Sequence, residues 1–155
     1  MLRRLLPLAL ALPLLVACGA GAPPEVTFAA GADSIVAGPT QYCQDDFVTC
    51  TNDATAPVAL PVPPGTPLVV TVPDAVSDTP WQIVFTYRDA TGEQIDERTT
   101  VFPPQQQETF TLELPADARL LTAQVQQYGP PPQIDETTGE IFFPIRSSWV
   151  LTVRR

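Results

Sequence analysis

The sequence predicts an all-β protein, an immunoglobulin-like antiparallel β-sandwich of about seven to nine short strands, preceded by a segment of different character. Three observations predict it. Apolar residues recur with a period of two, the mark of half-buried strands. Nineteen prolines in 155 residues rule out long helices, because proline lacks the N–H that a helix interior needs. Turn-forming clusters such as Pro63-Pro64-Gly65, Asp89-Ala90-Thr91-Gly92 and Gly129-Pro130-Pro131-Pro132 separate the alternating runs.

Residues 1–17 read as a targeting segment. Arg3 and Arg4 precede an uncharged apolar run, Leu5 to Ala17, too short for the roughly 20 residues of a spanning helix. The run ends in Leu15-Val16-Ala17-Cys18 followed by Gly19, a lipobox. That pattern resembles bacterial lipoprotein signals, in which the cysteine is acylated and becomes the first mature residue. An uncleaved membrane helix and ordinary signal-peptidase cleavage near Ala20 and Ala22 are weaker readings of the same segment. The expectation is a protein held at the extracytoplasmic face of the cell membrane by lipid on Cys18. Two acyl chains suffice for stable anchoring where one does not. Residues 18–24 are then a short tether, and residues 25–155 the β-sandwich domain.

Along the domain, Val26, Phe28 and Ala30 alternate with Thr27 and Ala29. Leu68, Val70 and Val72 do the same, then Trp81, Ile83, Phe85 and Tyr87, then Phe110, Leu112 and Leu114. Leu121, Ala123 and Val125 follow, and Trp149, Leu151 and Val153 close the series. The faces led by Trp81, Leu121 and Trp149 are expected to pack against one another, with both tryptophans in the core. Asp74 to Thr79 or Asp117 to Arg119 has room for one helical turn. Gln105-Gln106-Gln107 reads as a polar loop.

Three cysteines divide into Cys18 and an even pair, Cys43 and Cys50. An oxidising compartment makes a disulfide the default for that pair. Their spacing fits neither a CxxC redox motif nor a common zinc site. Both precede the Trp81 strand, so the inter-sheet disulfide of antibody domains is not expected, and the immunoglobulin likeness holds only in the broad sense.

Charge and missing residue types narrow the function. Removal of residues 1–17 leaves 138 of the 155 residues. It also removes Arg3 and Arg4, taking the 8 basic residues to 6 against 17 acidic, a net charge of −11. Such a surface disfavours nucleic acid and anionic lipid. There is no histidine and no lysine, which removes Ser-His-Asp, Cys-His, Ser-Lys and Schiff-base chemistry. A carboxylate pair is the remaining catalytic option, among Asp45-Asp46 and Asp135-Glu136 with Glu140. Neighbours on a strand point to opposite faces, which spoils such pairs. The Asp135–Glu140 loop also lacks EF-hand spacing. No catalytic residue, metal site or cofactor is expected.

Pro39-Thr40-Gln41-Tyr42-Cys43, Pro61-Val62-Pro63-Pro64-Gly65-Thr66-Pro67-Leu68, Pro80-Trp81-Gln82, Val101-Phe102-Pro103-Pro104, Leu121-Thr122-Ala123-Gln124-Val125-Gln126 and Trp149-Val150-Leu151-Thr152-Val153 occur in that order. Together they resemble an uncharacterised family of actinobacterial lipoproteins, one of the domain-of-unknown-function families. The resemblance implies an anchored envelope module with an exported β domain and transfers no activity. An all-arginine basic set is consistent with a GC-rich genome.

The expected function is therefore a non-enzymatic binding or accessory module, whose partner is an unidentified envelope protein or glycan. The alternative is a structural or chaperone-like subunit of an export or wall-assembly complex; a carboxylate-based hydrolase is a remote third. The candidate binding residues lie in the loop Gly129 to Glu140. Ile134 sits among polar residues where no alternation accounts for it, as an exposed anchor would. Asp135, Glu136 and Glu140 favour a basic partner. A solvated hairpin turn without a binding role is the competing reading.

Overall fold

A computed structural model describes residues 21–129 and 132–154. The targeting segment and Cys18 lie outside the described residues. One four-stranded sheet has the order β2-β1-β6-β9, built from β1 (Val26–Ala30), β2 (Asp33–Ala37), β6 (Leu68–Thr71) and β9 (Thr109–Leu112). The larger sheet runs β4-β3-β13-β10-β7-β8, from β3 (Gln41–Cys43), β4 (Cys50–Asn52), β7 (Trp81–Arg88), β8 (Gln94–Arg98), β10 (Arg119–Tyr128) and β13 (Ile145–Arg154). A separate small hairpin joins β11 (Gln133–Ile134) to β12 (Ile141–Phe142). The helix α1 is one turn, Asp74–Ser77. Among the described residues no helix is long and apolar enough to cross a membrane.

The fold is the expected β-sandwich, with more and less uniform strands. β10 and β13 each run ten residues, because neither contains a proline. Short strands share the free edge of β13. β3 pairs with Ser147 and Ser148, and β5 (Val58–Pro61) pairs with Leu151 to Arg154 in parallel, the one departure from antiparallel pairing among the described strands.

Period-two burial fills the space between the sheets. Val26, Phe28, Leu68, Val70 and Leu112 come from the smaller sheet. Trp81, Ile83, Phe85, Tyr87, Ala123, Val125, Trp149 and Leu151 come from the larger. Both tryptophans are wholly buried, and each indole N–H finds a carbonyl, Trp81 on Gln107 at 3.1 Å and Trp149 on Pro24 at 2.9 Å. The polar loop Gln105–Gln107 thus completes the core, and the tether is fixed from Pro24 onward. Trp81 also packs on Phe102, with ring centroids 4.5 Å apart, in the range of favourable aromatic pairs.

Two expectations need correction. Leu121 is not an inner residue: the register of β10 against β7 shifts between Leu120 and Thr122, a bulge that sends Leu120 into the core and leaves Leu121 half-buried. Asp117 to Arg119 is no helical turn. Asp117 takes a left-handed conformation, φ 64°, and Arg119 opens β10.

Three strand ends meet at one end of the sandwich. β7 begins there, β10 ends there and β13 begins there, since Gln127 pairs with Trp81 and Tyr128 with Ile145. The β11–β12 hairpin projects from this end.

Candidate functional site

The acidic turns are explained by local hydrogen bonding. Asp135 Oδ1 accepts the Thr137 and Thr138 N–H groups at 2.7 and 3.0 Å, and its backbone N–H bonds Glu140. Asp46 does the same for Val48 and Thr49, Asp53 for Thr55, and Asp89 for Thr91 and Glu93. Each is a turn aspartate capping its own backbone. These bonds favour the ionised form. They hold Asp135 below the ordinary carboxylate range chiefly through the Thr138 N–H, and Asp46, Asp53 and Asp89 chiefly through threonine hydroxyls. Glu136 and Glu140 are exposed in the same turn as Asp135. No group of three or more metal-capable side chains occurs among the described residues.

Cys43 and Cys50 are disulfide-bonded across the register pair of β3 and β4, inside one sheet. The eight-residue loop they close has a structural task. Its Phe47 ring packs over Gly129, where any Cβ would collide with it. Arg146 lies 5.5 Å from the Phe47 ring centre and 5.9 Å from Tyr42, and pairs with Asp45. The Gly129 N–H bonds the Pro144 carbonyl at 2.9 Å. The disulfide loop therefore braces the base of the β11–β12 hairpin.

That hairpin carries the exposed apolar residues. Ile134 is 64% exposed and pairs with Ile141, 65% exposed; Phe142 and Phe143 follow at 45% and 53%. The hairpin leans over the outer face of the larger sheet. Between them lies an open groove of about 610 Å³, walled by Pro80, Val101, Pro103, Ile141, Phe142 and Phe143. Phe143 meets Tyr128 edge-on, with ring centres 6.3 Å apart. Burial raises the Tyr128 phenol above its ordinary pKa, partly offset by the Arg98 guanidinium nearby. Gln82 and Arg98 also line the groove.

Of the residues singled out in the sequence, Ile134, Asp135, Glu136 and Glu140 fall together on this hairpin. Ile134 is exposed but does not line the groove; Asp135 shapes the turn. The groove residues Gln82, Val101, Tyr128, Phe142 and Phe143 escape a reading by sequence alone. One signal points at them: Ile141-Phe142-Phe143 is an apolar run with no alternation, between Glu140 and Pro144.

At one end of the β-sandwich, then, the β11–β12 hairpin and the outer face of the larger sheet enclose an open, largely apolar groove. Over residues 20–154 the chain matches the family described as "Protein of unknown function (DUF2771)", and it belongs to that family. No curated protein and no solved structure matches it.

Proposed function

We propose that this protein is an actinobacterial lipoprotein, anchored through acylated Cys18 at the extracytoplasmic face of the cell membrane. There it serves as a non-enzymatic binding or accessory module for an envelope partner. The observation that carries the reading is the groove beside the β11–β12 hairpin. Exposed apolar residues gathered around one concave surface mark interaction sites, whereas scattered ones need no explanation. Here Val101, Ile141, Phe142 and Phe143 share one groove. The lipobox Leu15-Val16-Ala17-Cys18 supplies the address.

The test combines two changes in the full-length protein expressed in its native membrane. Cys18→Ser should abolish labelling by a radioactive fatty acid and leave an unprocessed precursor. Val101→Arg should block the groove without touching the anchor. It should remain lipid-labelled but lose the partners that wild type brings down from solubilised membranes. If the Ser variant is still cut at the same site and stays membrane-bound, the anchor reading fails. If the Arg variant recovers the same partners as wild type, the groove is not the binding surface.

A further inference from the structure

We infer that the groove takes a fatty-acid anion, its carboxylate on Arg98 and Tyr128 and its acyl chain along Val101, Pro103, Phe142 and Phe143. The inference goes beyond the proposed role by naming a small ligand, and it rests on the groove being a binding surface. The groove's own lining carries it. Arg98 is the one charged residue there. It is exposed, and its guanidinium has no ion-pair or hydrogen-bond partner among the described residues. Asp96, two residues back on the same face of β8, bonds the Thr86 hydroxyl at 2.6 Å and does not line the groove. Nor do Asp135, Glu136 and Glu140 of the hairpin turn. The Tyr128 hydroxyl is a second donor without a partner among the described residues. Burial raises its pKa, so it stays protonated at neutral pH. Other polar lining groups are already engaged. Gln82 donates its amide to Gln126, and the Thr99 hydroxyl accepts the Ile83 N–H, both at 3.1 Å. A guanidinium and a phenol O–H, both free to donate, suit a carboxylate.

Donors and apolar surface are laid out in order. Arg98 stands opposite Val84, and Phe102 opposite Trp81, where the hairpin projects. The lining segment 98–104 therefore runs from the guanidinium to the apolar residues Val101 and Pro103, and the hairpin adds Phe142 and Phe143. Such a layout fits a charged head and an apolar tail. Sites of about 300–1,000 Å³ take drug-sized ligands, so about 610 Å³ suits one acyl chain better than a two-chain phospholipid. A sugar or a peptide carries polar groups along its whole length, which the apolar walls would leave unbonded. The net charge of −9 sets the chain against an anionic membrane surface. A lone anion beside Arg98 is a different case, because salt screens more distant charges over about 8 Å. The membrane is also the nearest source. Thr27 pairs with Thr71, the chain from Thr71 leads into α1, and the Ala75 carbonyl of α1 accepts the Gln127 amide. The tether thus enters at the groove's end of the sandwich. With the anchor proposed on Cys18, six residues before Pro24, Pro24 stays within about 20 Å of the lipid.

The experiment uses the full-length protein in isolated membranes, with a palmitate that carries a photoreactive diazirine on its chain. Irradiation should attach the probe to residues 98–104 and 141–143, mapped by mass spectrometry. Plain palmitate should compete at least tenfold better than hexadecanol, which has the same chain without the charge, or hexadecyltrimethylammonium, which reverses it. Arg98→Gln should weaken labelling at least tenfold and erase the advantage of palmitate over hexadecanol. Its melting temperature should match wild type, because the side chain is exposed and unbonded. Val101→Asp, on the exposed wall, should weaken labelling with Arg98 still in place. The proposal is overturned if the probe does not label the groove, if hexadecanol or the cation competes as well as palmitate, or if phosphatidylglycerol competes in its stead. It is equally overturned if Arg98→Gln is labelled like wild type. Loss of native partners by Val101→Arg, with no palmitate labelling of wild type, would overturn this inference alone. Retention of those partners, with palmitate in the groove, would overturn the partner reading and leave this one standing.

Discussion

The β7–β8 hairpin and the β11–β12 hairpin turn on the same chemistry and do different things. In the first, Asp89 accepts the Thr91 and Glu93 N–H groups at 2.9 Å each, with Gly92 at φ 91°. In the second, Asp135 caps Thr137 and Thr138, with Gly139 at φ 73°. Glycine fits these left-handed positions because it has no Cβ. The flanks differ. β7 and β8 pair over five residues, and β7 sends Trp81, Ile83, Phe85 and Tyr87 into the core. β11 and β12 pair over two, and their apolar residues face outward. The acidic cluster is thus turn chemistry in both places. What distinguishes the second hairpin is apolar surface that no core claims.

If that contrast holds, the largest effect belongs to the core side of the comparison. Trp81→Ala should cost about 3–5 kcal/mol, the usual range for truncating a buried aromatic, measured by denaturant unfolding. A loss below about 1 kcal/mol would mean that Trp81 does not anchor β7. Next comes the brace. Replacing both Cys43 and Cys50 by serine should cost about 2–3 kcal/mol by the chain-entropy estimate for an eight-residue loop. It should also speed amide exchange at residues 132–144 more than at residues 88–94. Equal changes at both hairpins would show that the disulfide loop does not brace the second one.

The core hairpin is legible in the sequence and the other one only in part. Trp81 to Tyr87 alternate without a break, so one periodic pattern yields both strand and buried face. Leu121 misleads because a bulge leaves no mark in an alternating run; the bulge moves Leu120 inside instead. The Cys43–Cys50 bond follows from an even pair of cysteines and the expectation of an oxidising compartment, but its loop's contact with Gly129 does not. Phe47 reaches Gly129 across 82 positions, and no local pattern encodes such a contact. Ile134 is visible as an apolar residue out of place. The groove is not, because Gln82, Val101 and Phe143 meet only when the hairpin folds over the outer sheet face.

A smaller effect tests the brace from its other side. Gly129→Ala places a methyl group against the Phe47 ring. Overpacking costs about 1–3 kcal/mol, and the low end applies here because Phe47 is half-buried and can swing outward. The same displacement should loosen the β11–β12 hairpin and leave the β7–β8 hairpin unchanged in amide exchange. A neutral substitution with unchanged exchange at residues 132–144 would remove Phe47 from the brace.

The smallest effect concerns the likeness of the two turns. Asp89 and Asp135 both ionise more readily than a free aspartate, because N–H and hydroxyl donors stabilise the carboxylate. A depressed folded-state pKa adds stability that is present above the unfolded value, about 3.9, and is lost as pH falls through the folded value. Acidification should therefore loosen both turns only below the ordinary carboxylate range, and neutral-to-mildly acidic conditions should leave both intact. Carboxyl carbon chemical shifts followed against pH give the two midpoints directly. Both should lie below about 3.9. If Asp135 instead titrates at or above that value while Asp89 stays below it, its carboxylate is not held by Thr137 and Thr138. The acidic hairpin would then differ from the core hairpin in its turn as well as in its flanks, and Asp135 would return as a candidate for direct contact with a basic partner.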